Sequence, residues 1–221
     1  FTELPEKYTQ LPVEDYGKKL ILPGLSDLHT HAPQYAMRAN GMDMELLDWL
    51  NTYTFPVESR YRDLEYAGAA YGQYAKALKE SATTRACIFG TLHREGTLLL
   101  MELLEEAGIR GYVGKVNMDR NSPDYLREES AGSALSDTKR WIEESQHFTK
   151  IKPILTPRFI PSCSDELMRG LAELQQETGL PVQSHLSENF GEIAWVKELC
   201  PEAEHYGDAY DKLGLFGSNG K

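Results

Sequence analysis

The sequence predicts an α/β fold, a (β/α)8 barrel of which about the first five βα units are present. Three observations carry that expectation. Short apolar runs alternate with segments of helical periodicity, and strands so separated run parallel because each needs a crossover connection. Polar residues gather at or just after the C-terminal ends of the successive runs: His29 and His31, His93, Asn117, Arg158 and His185. An open doubly wound sheet would share the alternation, but a polar rim at the strand ends is where barrel enzymes place their chemistry. Thirdly, the chain has 221 residues and a full barrel takes about 250, so closure is not expected within it.

Residues 1–19 mix charge, proline and tyrosine without periodicity and read as a connector, with the barrel domain spanning 20–221. The first strand is expected in "LILPGLSDL" (20–28). A helix follows from about Ser59, with Leu64, Ala67, Tyr71, Tyr74 and Leu78 at helical spacing. "RACIFGTL" (85–92) reads as a buried strand and "TLLLMELLEEAG" as a helix stopped by Gly108. "IRGYVGKV" (109–116) is the third strand, and a helix over Ser136–His147 leads to the fourth, "IKPILTPRF" (151–159). Ser164 is placed to cap a helix that ends near Gly179, ahead of a fifth strand, "PVQSHL", and a last helix over 190–199.

Composition removes several classes of function. A formal net charge of −11 without a Lys/Arg run lacks the footprint that captures phosphate backbones, so no nucleic acid polymer is expected as partner. There is no apolar run near the roughly 18 residues that span a bilayer and no secretory leader, so a cytoplasmic protein without membrane contact is expected. Cys87, Cys163 and Cys200 stand far apart with no CxxC pair and suit reduced, packed thiols.

The chemistry centres on "LHTHAPQY" (28–35). Side chains at i and i+2 of an extended segment share a face, so His29 and His31 can present two imidazoles to one ion. Zinc takes imidazole nitrogen at about 2.0–2.1 Å, and a catalytic site uses about three protein ligands plus an open position. An HxH pair alone is more often incidental; a matching strand-end histidine, His185 in "SHLSEN", makes a metal site the better reading. Glu188 lies three residues further on, where it can either complement a helix N-terminus or serve as an acid/base. His93 reads as a polar residue opening a helix, His147 and His205 as solvated. Asp119 and Arg120 are as readily turn residues as site residues.

"LPGLSDLHTHAPQYAMRANGMDMELLDWLNTYTFPVE", "GKVNMDRNSPDYLREES", "LTPRFIPSCSDEL" and "QSHLSEN" together resemble the guanine deaminases, a family of the amidohydrolase superfamily, over essentially the whole chain. PG-x-x-D-x-H-x-H marks only the superfamily; "HAPQY", "YTFPVE" and "PRF" are the specific part. The resemblance implies a metal-dependent hydrolase barrel in which His29, His31 and His185 bind zinc, Gln34, Arg158 and Phe159 bind the purine, and Glu188 shuttles protons. Guanine would be hydrolysed to xanthine and ammonia. Its O6 and N7 acceptors and N1 donor suit an arginine fork and a carboxamide. Binuclear relatives carry a lysine at the end of the fourth strand; here Lys150 and Lys152 lie at its beginning, so one zinc ion is expected. The H-x-E with P-C-x-x-C ligand set of cytidine-type deaminases is absent. The resemblance further implies a later histidine, a late aspartate, a flanking β-sandwich and a homodimer at full length, the first three expected beyond these 221 residues. Two alternatives remain open at this point: an amidohydrolase acting on another aminated or chlorinated heterocycle, and an inactive metal-binding fragment.

Overall fold

A computed structural model describes residues 5–216. Its central sheet contains β1 (Leu25–His31), β2 (Thr83–Phe89), β3 (Arg110–Gly114) and β5 (Ile151–Pro153), all parallel and in that order, while β4 (Val116–Asn117) pairs in parallel with β6 (Thr156–Pro157). These strands and their crossovers form the partial barrel that the alternation predicts.

The first strand is displaced from its expected place. It starts at Leu25, and Leu20, Ile21 and Leu22 are 87%, 78% and 74% exposed. No pairing strand meets them among the described residues; residues 5–24 are exposed throughout, with one helical turn at Glu6–Tyr8. Where β1 meets β2, Asp27 pairs with Ala86 and Thr30 with Ile88, so three steps on one strand answer two on the other. That bulge falls on Leu28 and His29, where a bulge re-aims side chains.

The third and fourth apolar runs each break into two short strands, on either side of Lys115 and of Ile154–Leu155. The fifth, 181–186, forms no regular strand: Leu155 and Val182 make a lone parallel bridge. Its pairing is irregular because side chains take over part of the ladder. The Leu155 amide donates to Pro181 O (3.0 Å) and the Gln183 amide to Leu155 O (2.9 Å). Beyond these, the Ser184 hydroxyl donates to Pro157 O (2.7 Å) and the Gln183 carboxamide to Ile88 O (3.1 Å).

Between β1 and β2 the chain forms α1 (Leu46–Trp49), a wide turn (Leu50–Thr54), α2 (Phe55–Ser59) and α3 (Leu64–Glu80). The long helix begins five residues after the expected Ser59 because Asp63 caps it, accepting from the Glu65 and Tyr66 amides. α4 (Arg94–Ala107) ends at Gly108, with φ 84°, as the sequence predicts. α5 (Ala131–Glu144) starts five residues ahead of the expected Ser136, capped by Ser130, and α6 (Asp165–Thr178) is capped by Ser164 and closed by Gly179 as expected. α7 (Phe190–Leu199) is in its expected place; α8 (Tyr206–Lys212), capped by His205, was not anticipated.

Buried side chains of α3, α4, α5 and α6, among them Tyr71, Leu100, Trp141 and Leu171, form one core with Ile88, Val113 and Ile151 of the sheet. A second cluster, Leu50, Phe55, Phe89, Val116, Met118, Leu126 and Phe159, lies toward the strand ends. All three cysteines are free, with Cys163 and Cys200 buried and Cys87 half-buried, which agrees with packed thiols. Among the described residues no helix is long and apolar enough to cross a membrane.

Candidate active site

At the C-terminal ends of the strands lies a cavity of about 520 Å³. His29, His31, Gln34, Arg158, Phe159, His185 and Glu188 all line it. The sequence-predicted residues, spread from position 29 to 188, are thus brought to one wall system.

One possible ligand atom from each of His29, His31 and His185 lies within 4.8 Å of the others, and His31 Nε2 and His185 Nε2 are 2.9 Å apart. Tetrahedral zinc with Zn–N bonds of about 2.0–2.1 Å separates its nitrogens by roughly 3.3 Å. The three donors are of the right type and near enough to one another to hold such a metal. His185 Nδ1 donates to Arg158 O at 2.6 Å, which leaves Nε2 with its lone pair free, the arrangement a metal ligand needs. Burial, then the Arg158 cation, pulls the His185 imidazole down to about 3; burial, then His185 and Arg158, holds His31 well below the usual range. Neutral rings with available lone pairs are the state in which histidine binds metal. Phe89 supports the group, its ring 4.4 Å from His31, 4.5 Å from His185 and 5.0 Å from His29.

Gln34 sits in the helical turn Ala32–Met37 that continues directly from β1. Arg158 follows β6, is 2% exposed, and donates to Glu58 Oε2 at 2.8 Å. Phe159 belongs to the second hydrophobic cluster and also forms cavity wall, so the core and the cavity readings of this residue meet in one position. Glu188 lies just before the cap of α7, its amide donating to Glu192 Oε2 at 2.8 Å. Partial burial, then the Glu192 carboxylate, raises its pKa.

Other strand-end residues turn away from the cavity. Asn117 is fully buried and donates to Glu128 and Thr138. His93 stands at the cap position of α4 without a side-chain capping bond and does not line the cavity. Asp119 accepts from the Ser164 amide (2.6 Å) and hydroxyl, and Arg120 donates to Ile160 O (2.9 Å). These two residues clamp the loop after Phe159. Lys150 and Lys152 donate to backbone oxygens of Glu105 and Phe148, away from the cavity. His147 is exposed, and exposed His205 accepts from the Asp208 amide.

Sequence reasoning missed Glu58, Phe89, Trp49 and Tyr74 as parts of the site or its support. Trp49 and Glu58 both lie in the family-resembling stretch, and Glu58 closes its specific part, "YTFPVE", but nothing in its spacing pointed to Arg158, 100 positions away.

The amidohydrolase family profile matches residues 20–219. Guanine deaminase of Dictyostelium discoideum is 44% identical over 208 residues, 93% of this chain and 46% of that protein. Guanine deaminase of Escherichia coli (strain K12) is 42% identical over 208 residues, 94% of this chain and 47% of that protein. The crystal structure of guanine deaminase from C. acetobutylicum with guanine bound in its active site superposes with a TM-score of 0.94 at 50% identity, covering 98% of this chain and 52% of that one. The chain thus spans about half the length of the curated relatives it matches.

Proposed function

Because this chain belongs to the amidohydrolase family, we propose that it carries the metal-binding and purine-reading residues of a guanine deaminase, which hydrolyses guanine to xanthine and ammonia. The single observation that carries the reading is the convergence of all seven predicted site residues on one cavity. Three histidines with ligand atoms within 4.8 Å of one another occupy one part of it.

Amidohydrolases are typically metal-dependent, and His29, His31 and His185 would hold one zinc ion. When bound, zinc would lower the pKa of a water that it holds to about 7. The protein's own groups do the rest. Arg158 offers a fixed fork of donors to the O6 and N7 edge of guanine, and the Gln34 carboxamide both donates and accepts along the adjoining edge. Phe159 stacks on the flat ring. Glu188, its pKa raised by partial burial and by Glu192, accepts one proton from the water that attacks C2 and passes it to the ring nitrogen N3; the second proton, released as the C2 hydroxyl becomes a carbonyl, is carried to the amine, which leaves as ammonia. The oxygen added at C2 and the amine lost balance as guanine plus water giving xanthine plus ammonia. On the resemblance, we extend the proposal to a cytoplasmic enzyme that forms a homodimer at full length.

The test is xanthine formation from guanine, with zinc content measured in parallel, for the 221-residue chain and for a protein extended to the length of its relatives. Guanine, ammeline and adenine are compared as substrates. Guanine is expected to be turned over fastest by the longer protein. Fast turnover of ammeline or adenine with guanine inert overturns the reading.

A further inference from the structure

We propose that the segment Phe55–Tyr61 is a positioning brace: Glu58 fixes the guanidinium of Arg158, and Tyr61 fixes the turn that bears Gln34. The proposal rests on Arg158 and Gln34 being the purine-reading residues.

Glu58 and Arg158 are 1% and 2% exposed, and Arg158 Nη1 lies 2.8 Å from Glu58 Oε2. The guanidinium also stands 5.1 Å from the Phe55 ring centroid, so the same short helix bounds it twice. Glu58 Oε1 is buried and has no hydrogen-bond partner among the described residues. A buried carboxylate with one oxygen unmatched is a costly way to stabilise a fold, since a well-packed apolar pair of similar volume is often as good or better. What the carboxylate does achieve is direction: a buried arginine with one charged partner has one orientation, and Arg158 lines the cavity while Glu58 stands behind it. Three residues on, the fully buried Tyr61 donates its hydroxyl to Pro33 O at 3.0 Å, beside Gln34. One seven-residue stretch therefore holds both purine-facing side chains, which come from turns 124 positions apart in sequence.

The experiment uses the zinc-loaded full-length protein and its Glu58→Gln, Glu58→Asp, Tyr61→Phe, Arg158→Ala and Glu58→Gln/Arg158→Ala variants. Xanthine affinity is measured by calorimetry, KM and kcat for guanine by turnover, zinc by elemental analysis, and the guanidinium position by crystallography. Glu58→Gln is expected to weaken xanthine binding and raise KM about tenfold, the worth of a charge-assisted hydrogen bond. Zinc content should be unchanged, kcat should move less than KM, and Arg158 should be displaced. Glu58→Asp should recover part of the affinity, and the double variant should bind no worse than Arg158→Ala alone. Wild-type affinity in Glu58→Gln, an unmoved guanidinium, or a double variant weaker than Arg158→Ala overturns the proposal. If Glu58→Gln does not fold, Glu58→Asp and Tyr61→Phe decide it, since both are expected to weaken binding and unchanged affinity in both overturns it. A wild-type protein that binds no purine refutes the proposed function, while the guanidinium position still judges the brace.

Discussion

The buried ion pair of Lys115 shows how a single residue is committed to structure although it stands between two strands that point toward the cavity. It is fully buried, its Nζ is 2.6 Å from Glu128 Oε1 and 3.6 Å from Asp137 Oδ2. Glu128 Oε2 accepts from the Met118 amide at 2.9 Å, and its carboxylate accepts from Asn117 as well. Burial raises the Glu128 pKa, and Lys115 is the first group that opposes the rise. Removing the cation strands a buried carboxylate. Lys115→Met is therefore expected to destabilise the fold by about 3–5 kcal/mol in urea unfolding, with Lys115→Met/Glu128→Gln recovering part of the loss. A loss below about 1 kcal/mol, the scale of a surface pair, would show that the network is solvated.

At the scale of elements, the end of α4 determines where β5 begins. Glu105, in the last turn of α4, accepts from the amides of Thr149 (3.0 Å), Lys150 (2.8 Å) and Ile151 (3.0 Å) and from the Thr149 hydroxyl (2.5 Å). Desolvation opposes its charge, but these four bonds prevail and bring its pKa down to about 2 from an ordinary 4.5. A depressed carboxylate pKa contributes stability above the unfolded value, and that contribution disappears as pH falls through the folded one. Glu105→Gln should therefore lower the melting temperature at pH 7 and flatten its fall between about pH 4.5 and about pH 2. Parallel melting curves for the two proteins across that window would contradict the assignment.

The whole molecule carries an exposed apolar stretch at the start of the barrel. Leu20, Ile21, Leu22, Leu25 and Leu28 are 87%, 78%, 74%, 59% and 78% exposed. Exposed apolar patches beyond a few hundred Å² drive association. The 221-residue chain is accordingly expected to bind a hydrophobic dye and to sediment as more than a monomer. Leu20→Lys with Leu22→Lys should reduce both signals while zinc content is retained, because these side chains lie outside the cavity. Equal dye binding and sedimentation would locate the association elsewhere.

Much of this molecule is legible from local patterns. The alternation of apolar runs and helical periodicity, the caps at Ser164, Gly108 and Gly179, and the HxH pair on an extended segment all act over a few residues, so the sequence by itself determined the α/β class and the strand-end histidines. Boundaries were less legible where a partner decides them. Leu20–Leu22 reads as a strand by composition, yet a strand exists only where its backbone finds a neighbour, and 181–186 lost its regular ladder to the side chains of Gln183 and Ser184. The turns over 46–62 lack a long apolar period and stayed hidden, and with them Glu58, whose partner is 100 positions away. The meeting of His185 with the two histidines of β1, and of Glu58 with Arg158, was decided only by the tertiary structure, because chain crossovers and not sequence spacing set which strand ends become neighbours.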